Sequence, residues 1–156
     1  MERIASFEVD HDVLTRGIYV SRIDYDVVTY DLRTRKPNGG DYMDCITVHS
    51  VEHMMATYLR NSSIGNDVIY FGPMGCRTGF YLLVRDSRTT QEVKSAIIDS
   101  LKLTISHTGS VFGASRKECG NYLELSFEKA KAECAKYLDI LLGLPEDADF
   151  KYKRSE

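Results

Sequence analysis

No stretch of these 156 residues is long and apolar enough to span a bilayer, and the opening Met1-Glu2-Arg3-Ile4-Ala5-Ser6-Phe7-Glu8 has no apolar run of the kind a secretory signal needs. A membrane partner is not expected, and the chain is expected to be cytoplasmic. Positive charge is not in surplus either. With a formal net charge of -3, there is no broad basic surface to neutralise a phosphate backbone, so nucleic acid is not an expected partner. Internal repeats and low-complexity segments are also missing. Cysteine is limited to four residues, and without a secretory signal the thiols are expected to stay reduced. That leaves ligand or catalytic roles open to them.

What is present suits one folded domain over residues 1–156: 43% hydrophobic and 28% charged residues are ordinary for a soluble globular chain of this length. Side chains alternate over Ile18 to Ile23 and Val27 to Thr34, with Asp24-Tyr25-Asp26 as a short turn, which predicts a hairpin. After the loop Lys36-Pro37-Asn38-Gly39-Gly40-Asp41, the segment from Ile46 to Arg60 is apolar nearly all round and predicts a core helix. Val68 to Phe71 and Phe80 to Val84 have strand character and flank a loop carrying Cys76. Thr89-Thr90-Gln91-Glu92 matches a capping box and opens a helix expected to run from Thr90 to Ser106. A loop from His107 to Tyr122 carries Cys119. Ser126 then caps a third helix with Phe127, Ala130, Cys134, Leu138 and Leu141 on one face, and the charged last residues are expected to fray. The fold class implied is α+β, a small antiparallel sheet packed against helices.

Chemistry concentrates in His49-Ser50-Val51-Glu52-His53. Histidines four apart on a helix project from one face and can reach a single ion, and Glu52 lies on the same stripe. The spacing alone leaves open a bland alternative, in which both are hydrogen-bonded core histidines and Glu52 pairs with one of them. Cys119 could complete a His2Cys set suited to zinc or ferrous iron, with a fourth position open. Cys76, in Pro73-Met74-Gly75-Cys76-Arg77-Thr78-Gly79, has a cation beside it and glycines that permit close backbone approach; this is the setting of a reactive thiol or of a cysteine buried in a tight loop. Cys45, on the helix expected to be buried, and Cys134, on the apolar face of the third helix, are expected to act as small hydrophobes, and His107 as a loop residue. Arg33, two residues from Asp31 on a strand, is most simply a surface residue paired with that aspartate.

Taken together, Ser6-Phe7-Glu8-Val9-Asp10-His11, Tyr30-Asp31-Leu32-Arg33, His49-Ser50-Val51-Glu52-His53, Pro73-Met74-Gly75-Cys76-Arg77-Thr78-Gly79 and Cys119-Gly120 resemble, in this order, the motifs of the S-ribosylhomocysteine lyases (LuxS family). The resemblance implies that His49, His53 and Cys119 hold one divalent metal per subunit, ferrous iron in the cell and zinc in many preparations. It implies Cys76 and Glu52 as the acid/base pair, with Ser6, His11 and Arg33 binding the ribose portion and Phe7 helping to enclose it. It further implies a bacterial homodimer with active sites at the interface, cleaving S-ribosylhomocysteine to homocysteine and 4,5-dihydroxy-2,3-pentanedione, the autoinducer-2 precursor of quorum sensing. Tyr70-Phe71-Gly72 departs from the aspartate-containing sequence that many members carry before the Pro-Met-Gly-Cys loop. Two competing readings use the same residues: a metallopeptidase, since His-x-x-Glu-His is also the inverted zinc-protease pattern, and a non-catalytic domain stabilised by a structural metal.

Overall fold

Alternating side chains make β1 (Gly17–Asp24) and β2 (Val27–Arg33) an antiparallel hairpin across Asp24-Tyr25-Asp26, as the spacing predicts. The structure is a computed structural model and describes residues 2–153. The second hairpin joins β3 (Val68–Pro73) to β4 (Gly79–Arg85), each strand slightly longer than its apolar run. β4 also pairs with β2, so the four strands form one antiparallel sheet in the order β1-β2-β4-β3.

The helices begin where short polar side chains cap them. α1 (Cys45–Arg60) starts one residue earlier than expected, behind Asp44, whose carboxylate accepts from the Thr47 amide at 2.7 Å. α2 (Thr90–Ser106) has the expected capping box: the Thr89 hydroxyl accepts from the Glu92 amide at 3.2 Å, and the Glu92 carboxylate from the Thr89 amide at 2.8 Å. Ser126 caps α3 (Phe127–Leu142), accepting from the Lys129 amide at 3.4 Å, and Gly143 closes it. Among the described residues, no helix is long and apolar enough to cross a membrane.

One face of the sheet carries Ile18, Val28, Tyr30, Leu32, Phe80, Leu82 and Val84, and all three helices press on it. Met54, Met55 and Leu59 come from α1, Val93, Ile97 and Leu101 from α2, Ala130, Cys134 and Leu141 from α3. Each large apolar side chain so buried contributes about 1.5–3 kcal/mol, which fixes the orientation of α1 and hence of its polar stripe. Cys134 is the small core hydrophobe expected of it: burial pushes its thiol up to about 12.

Three expectations are corrected. Cys45 is exposed, because it sits in the first turn of α1 on the side away from the core. Arg33 and Asp31 are not at the surface: they are 2% and 1% exposed, on the sheet face opposite the helices. The charged C-terminal segment, expected to fray, is held in place as far as Tyr152. The Val20 amide donates to the Phe150 carbonyl at 2.7 Å, Phe150 is buried, and the Tyr152 ring stacks on Tyr19 at 5.1 Å, which is what covers Asp31. Residues 154–156 of that expectation lie outside the described residues.

Asp44 also bonds Lys129 of α3, so the cap of α1 ties two helices together. The Lys129 bond first, and the Thr47 amide second, lower its carboxyl from 3.8 to about 2. A depressed carboxyl stabilises fully above its unfolded value, and the contribution is lost as pH falls through the folded one. Asp44→Ala should therefore cost about 1 kcal/mol at neutral pH, and the gap from the unmodified protein should close between 3.8 and about 2. Urea titrations at several pH values measure it.

Candidate metal and thiol site

α1 presents His49 and His53 one turn apart, their ring centroids 4.6 Å apart. Each ring is oriented by a backbone carbonyl from the segment between α2 and α3. His49 Nδ1 lies 3.0 Å from the Glu124 carbonyl, and His53 Nδ1 lies 2.7 Å from the Phe112 carbonyl. A carbonyl only accepts, so Nδ1 carries the proton and donates in both rings, and in the neutral ring the lone pair is left on Nε2. That lone pair is the one a metal takes, and a carbonyl behind the ring is the usual orienting partner.

Cys119 completes the group. Its Sγ lies 3.3 Å from His49 Nε2, and one ligand atom from each of His49, His53 and Cys119 falls within 4.8 Å of the others. Two imidazole nitrogens and a thiol sulfur at such separations fit one ion with bonds of about 2.0–2.3 Å. The residues therefore fit a single His2Cys metal site. The bland alternative fares worse: the imidazoles take carbonyls and a thiol as partners, and Glu52 is not among them. Glu52 instead lines an open groove with His53, Ala56, Thr57, Phe112, Gly113 and Glu118. Gly113 permits this approach, since its φ is +66° and a Cβ there would stand 3.3 Å from His53 Nδ1.

The second cluster gathers around the loop between β3 and β4. The Met74 amide donates to the Gly79 carbonyl and the Arg77 amide to the Met74 carbonyl, both at 2.9 Å, closing a tight loop that leaves Cys76 exposed. Of the expected glycines, Gly79 is the close approach: a Cβ there would meet the Leu32 carbonyl at 2.5 Å. Gly75 has open space around it, and the left-handed residue is Arg77, at φ 60°. Beneath the loop, Arg33 gives Nε and Nη2 to the two oxygens of Asp31 at 3.0 and 2.6 Å. Its Nη1 donates to the Thr78 hydroxyl at 2.7 Å and stands 3.9 Å from Cys76 Sγ. The thiol and the Thr78 hydroxyl are 3.1 Å apart. An exposed thiol beside a guanidinium and a hydroxyl is equipped to exchange protons with a ligand.

Ser6 and Phe7 lie in a single 3-10 turn, Ala5–Phe7, and the bonds of Phe7 and His11 are local. Phe7 is 65% exposed, its carbonyl accepts from Arg3, and His11 Nδ1 lies 2.8 Å from the Val9 carbonyl. Sequence reasoning gave Thr78 no role, and it took His107 for a loop residue. His107 Nε2 lies 3.0 Å from the Ser110 carbonyl, so it donates there and its Nδ1 accepts from the Tyr58 hydroxyl at 2.8 Å, pinning the start of the metal-site loop to α1. The signal for Asp31 and Arg33 was their spacing of two on a strand, which puts both on one face.

Comparison with known proteins covers almost the whole chain. Residues 4–146 match the family described as S-Ribosylhomocysteinase (LuxS). A protein of Finegoldia magna named S-ribosylhomocysteine lyase is 40% identical over 151 residues, covering 94% of this chain and 96% of its own length. Proteins of the same name from Clostridium beijerinckii and Borreliella afzelii are 41% and 40% identical, covering 94% and 97% of this chain and 96% and 99% of their own.

If the three ligand atoms act together, His53→Ala should lose most of the bound metal while keeping its helical circular-dichroism signal, because α1 is held by its core face. Elemental analysis of desalted protein checks it, and full metal retention would rule out His53 as a ligand.

Proposed function

The chain belongs to the S-ribosylhomocysteinase (LuxS) family and is a carbon–sulfur lyase, and from that premise we propose that it cleaves S-ribosylhomocysteine to homocysteine and 4,5-dihydroxy-2,3-pentanedione in a metal-dependent reaction. The observation that carries this reading is the pairing of two clusters: a His2Cys group with Glu52 along its groove, and an exposed Cys76 backed by Arg33 and Thr78.

A metal held by His49, His53 and Cys119, ferrous iron in the cell and zinc in many preparations, would supply Lewis-acid polarisation of the opened sugar's carbonyl. Cys76 takes the proton from the carbon beside that carbonyl and returns it to the neighbouring carbon, so the carbonyl moves along the chain. Glu52 accepts and returns the hydroxyl protons that this migration displaces. When the carbonyl stands two carbons from the sulfur-bearing carbon, loss of the proton between them forms a C=C bond and breaks the C–S bond. Homocysteine leaves as its thiolate, and the enol left behind becomes the dione. Every step is proton transfer or elimination, so the sequence is redox-neutral and consumes no electron carrier.

Ser6 and His11 bind the ribose hydroxyls and Phe7 covers them, whereas Arg33 reaches the same ligand only at the Nη1 edge beside Cys76. This arrangement requires a homodimer, in which the N-terminal segment crosses to the partner subunit's site. Supporting it, Ile4, Phe7 and Val13 are apolar side chains left exposed at 55%, 65% and 37% in the single subunit.

The test is anaerobic release of free thiol from S-ribosylhomocysteine by ferrous-loaded protein. Cys76→Ala should lower turnover by roughly 10²–10⁴-fold with metal content intact, and Glu52→Gln should fall in the same range. Chelator-treated protein should release none. Substantial activity in Cys76→Ala would remove that thiol from the proton transfers, and no release by the metal-replete dimer would sink the substrate assignment.

A further inference from the structure

The family match ends at residue 146, yet the chain continues and its tail reaches Asp31, the partner of Arg33 beneath the Cys76 loop. Tyr152 donates its hydroxyl to Asp31 Oδ2 at 2.8 Å, the same oxygen that Arg33 Nη2 holds at 2.6 Å. Asp31 Oδ1 takes Arg33 Nε. The carboxylate is thus bonded on both oxygens, a charge-assisted bidentate pair with a third donor on it.

Donor and acceptor roles are fixed from Tyr152 to Thr78, and the last contact, to the sulfur, is set by whether Cys76 carries its proton. Arginine can only donate and a carboxylate can only accept, so Nη1, the remaining edge of the fork, donates to Thr78 Oγ1. When Cys76 is a thiolate it can only accept, so the Thr78 hydroxyl gives its proton to the sulfur 3.1 Å away. Tyr152 remains a donor throughout, since burial first and the Asp31 carboxylate second push its phenol up.

We propose that Tyr152 is a positioning residue for the Cys76 thiol: through Asp31 it holds the plane of the Arg33 guanidinium, and through Arg33 it holds the Thr78 proton on the sulfur. The C-terminal tail then reports to the reacting loop as well as closing the outer face of the sheet. The functional half of this inference rests on the role assigned above to Cys76; the geometric half does not.

Two read-outs on full-length, metal-replete protein separate them. Tyr152→Phe keeps the ring that stacks on Tyr19 and removes only the hydroxyl. It should lower kcat roughly five- to tenfold with KM and metal content unchanged, the scale of losing one ordinary hydrogen bond. Alkylation of Cys76 by iodoacetamide at one fixed neutral pH, followed by peptide mass spectrometry, should slow by a similar factor. Lys94→Ala is the control, because Lys94 Nζ lies 5.8 Å from the Phe150 ring centroid and its loss loosens the tail without touching the hydroxyl. It should lower the melting temperature and leave the alkylation rate alone. An unchanged alkylation rate in folded Tyr152→Phe, or equal slowing in Lys94→Ala, would reduce the tail to a structural cover and overturn the proposal. Should Cys76→Ala retain turnover, the acid/base role of Cys76 falls while the alkylation arm, which uses no substrate, still decides the relay.

Discussion

Two imidazole N–H groups, each held by one backbone carbonyl, join the two halves of this chain. The segment between α2 and α3 contains no regular element, so its shape comes from where it is tied. Phe112 and Glu124 offer their carbonyls to His53 and His49, His107 anchors the start of the segment to Tyr58, and Val111 is buried. Those bonds choose the tautomer of both rings and bring Cys119 within reach of His49 in the same act. Without them α1 would still pack, because its apolar stripe is in the core, but its polar stripe would have no third donor.

The second structural commitment is two ion pairs made from the end of β2, one on each face of the sheet. Asp31 and Arg33 lie almost fully out of water, and Arg35 makes a bidentate pair with Glu133 of α3, which is itself 3% exposed. Burying such charges gives little net stability, but removing one partner typically costs about 3–5 kcal/mol because the other is stranded. Their value here is registry. One pair sets the floor under the Cys76 loop and the other fixes α3 against the segment that leads into α1.

Most of the architecture could be read from the chain. The capping box at Thr89, the caps at Ser126 and Gly143, and the alternation in both hairpins are local signals, and local signals located the element ends to within a residue or two. The His–Glu–His stripe and the glycine-bounded cysteine were equally visible, because helix and hairpin geometry place them with no tertiary information. What could not be read was anything decided by distant packing. Arg33 looked like a surface residue because its cover, Tyr152, is 121 positions away from Asp31 in a segment whose charged composition suggests a loose end. Cys45 looked buried because its helix is, although one position in the first turn faces out.

The loop that presents Cys76 is asymmetric in what it tolerates. On the solvent side, position 75 has nothing within 4 Å of where a side chain would begin. On the sheet side, a side chain at position 79 would run into the Leu32 carbonyl, and the Thr78 carbonyl is shared by the amides of Thr34 and Arg35. The hairpin is therefore welded to the neighbouring strand along one rim and open along the other. A library aimed at altering what the thiol accepts has its room at position 75, where new side chains can be displayed toward the ligand. A residue inserted beside position 79 has none, because it must displace a strand that the whole sheet shares.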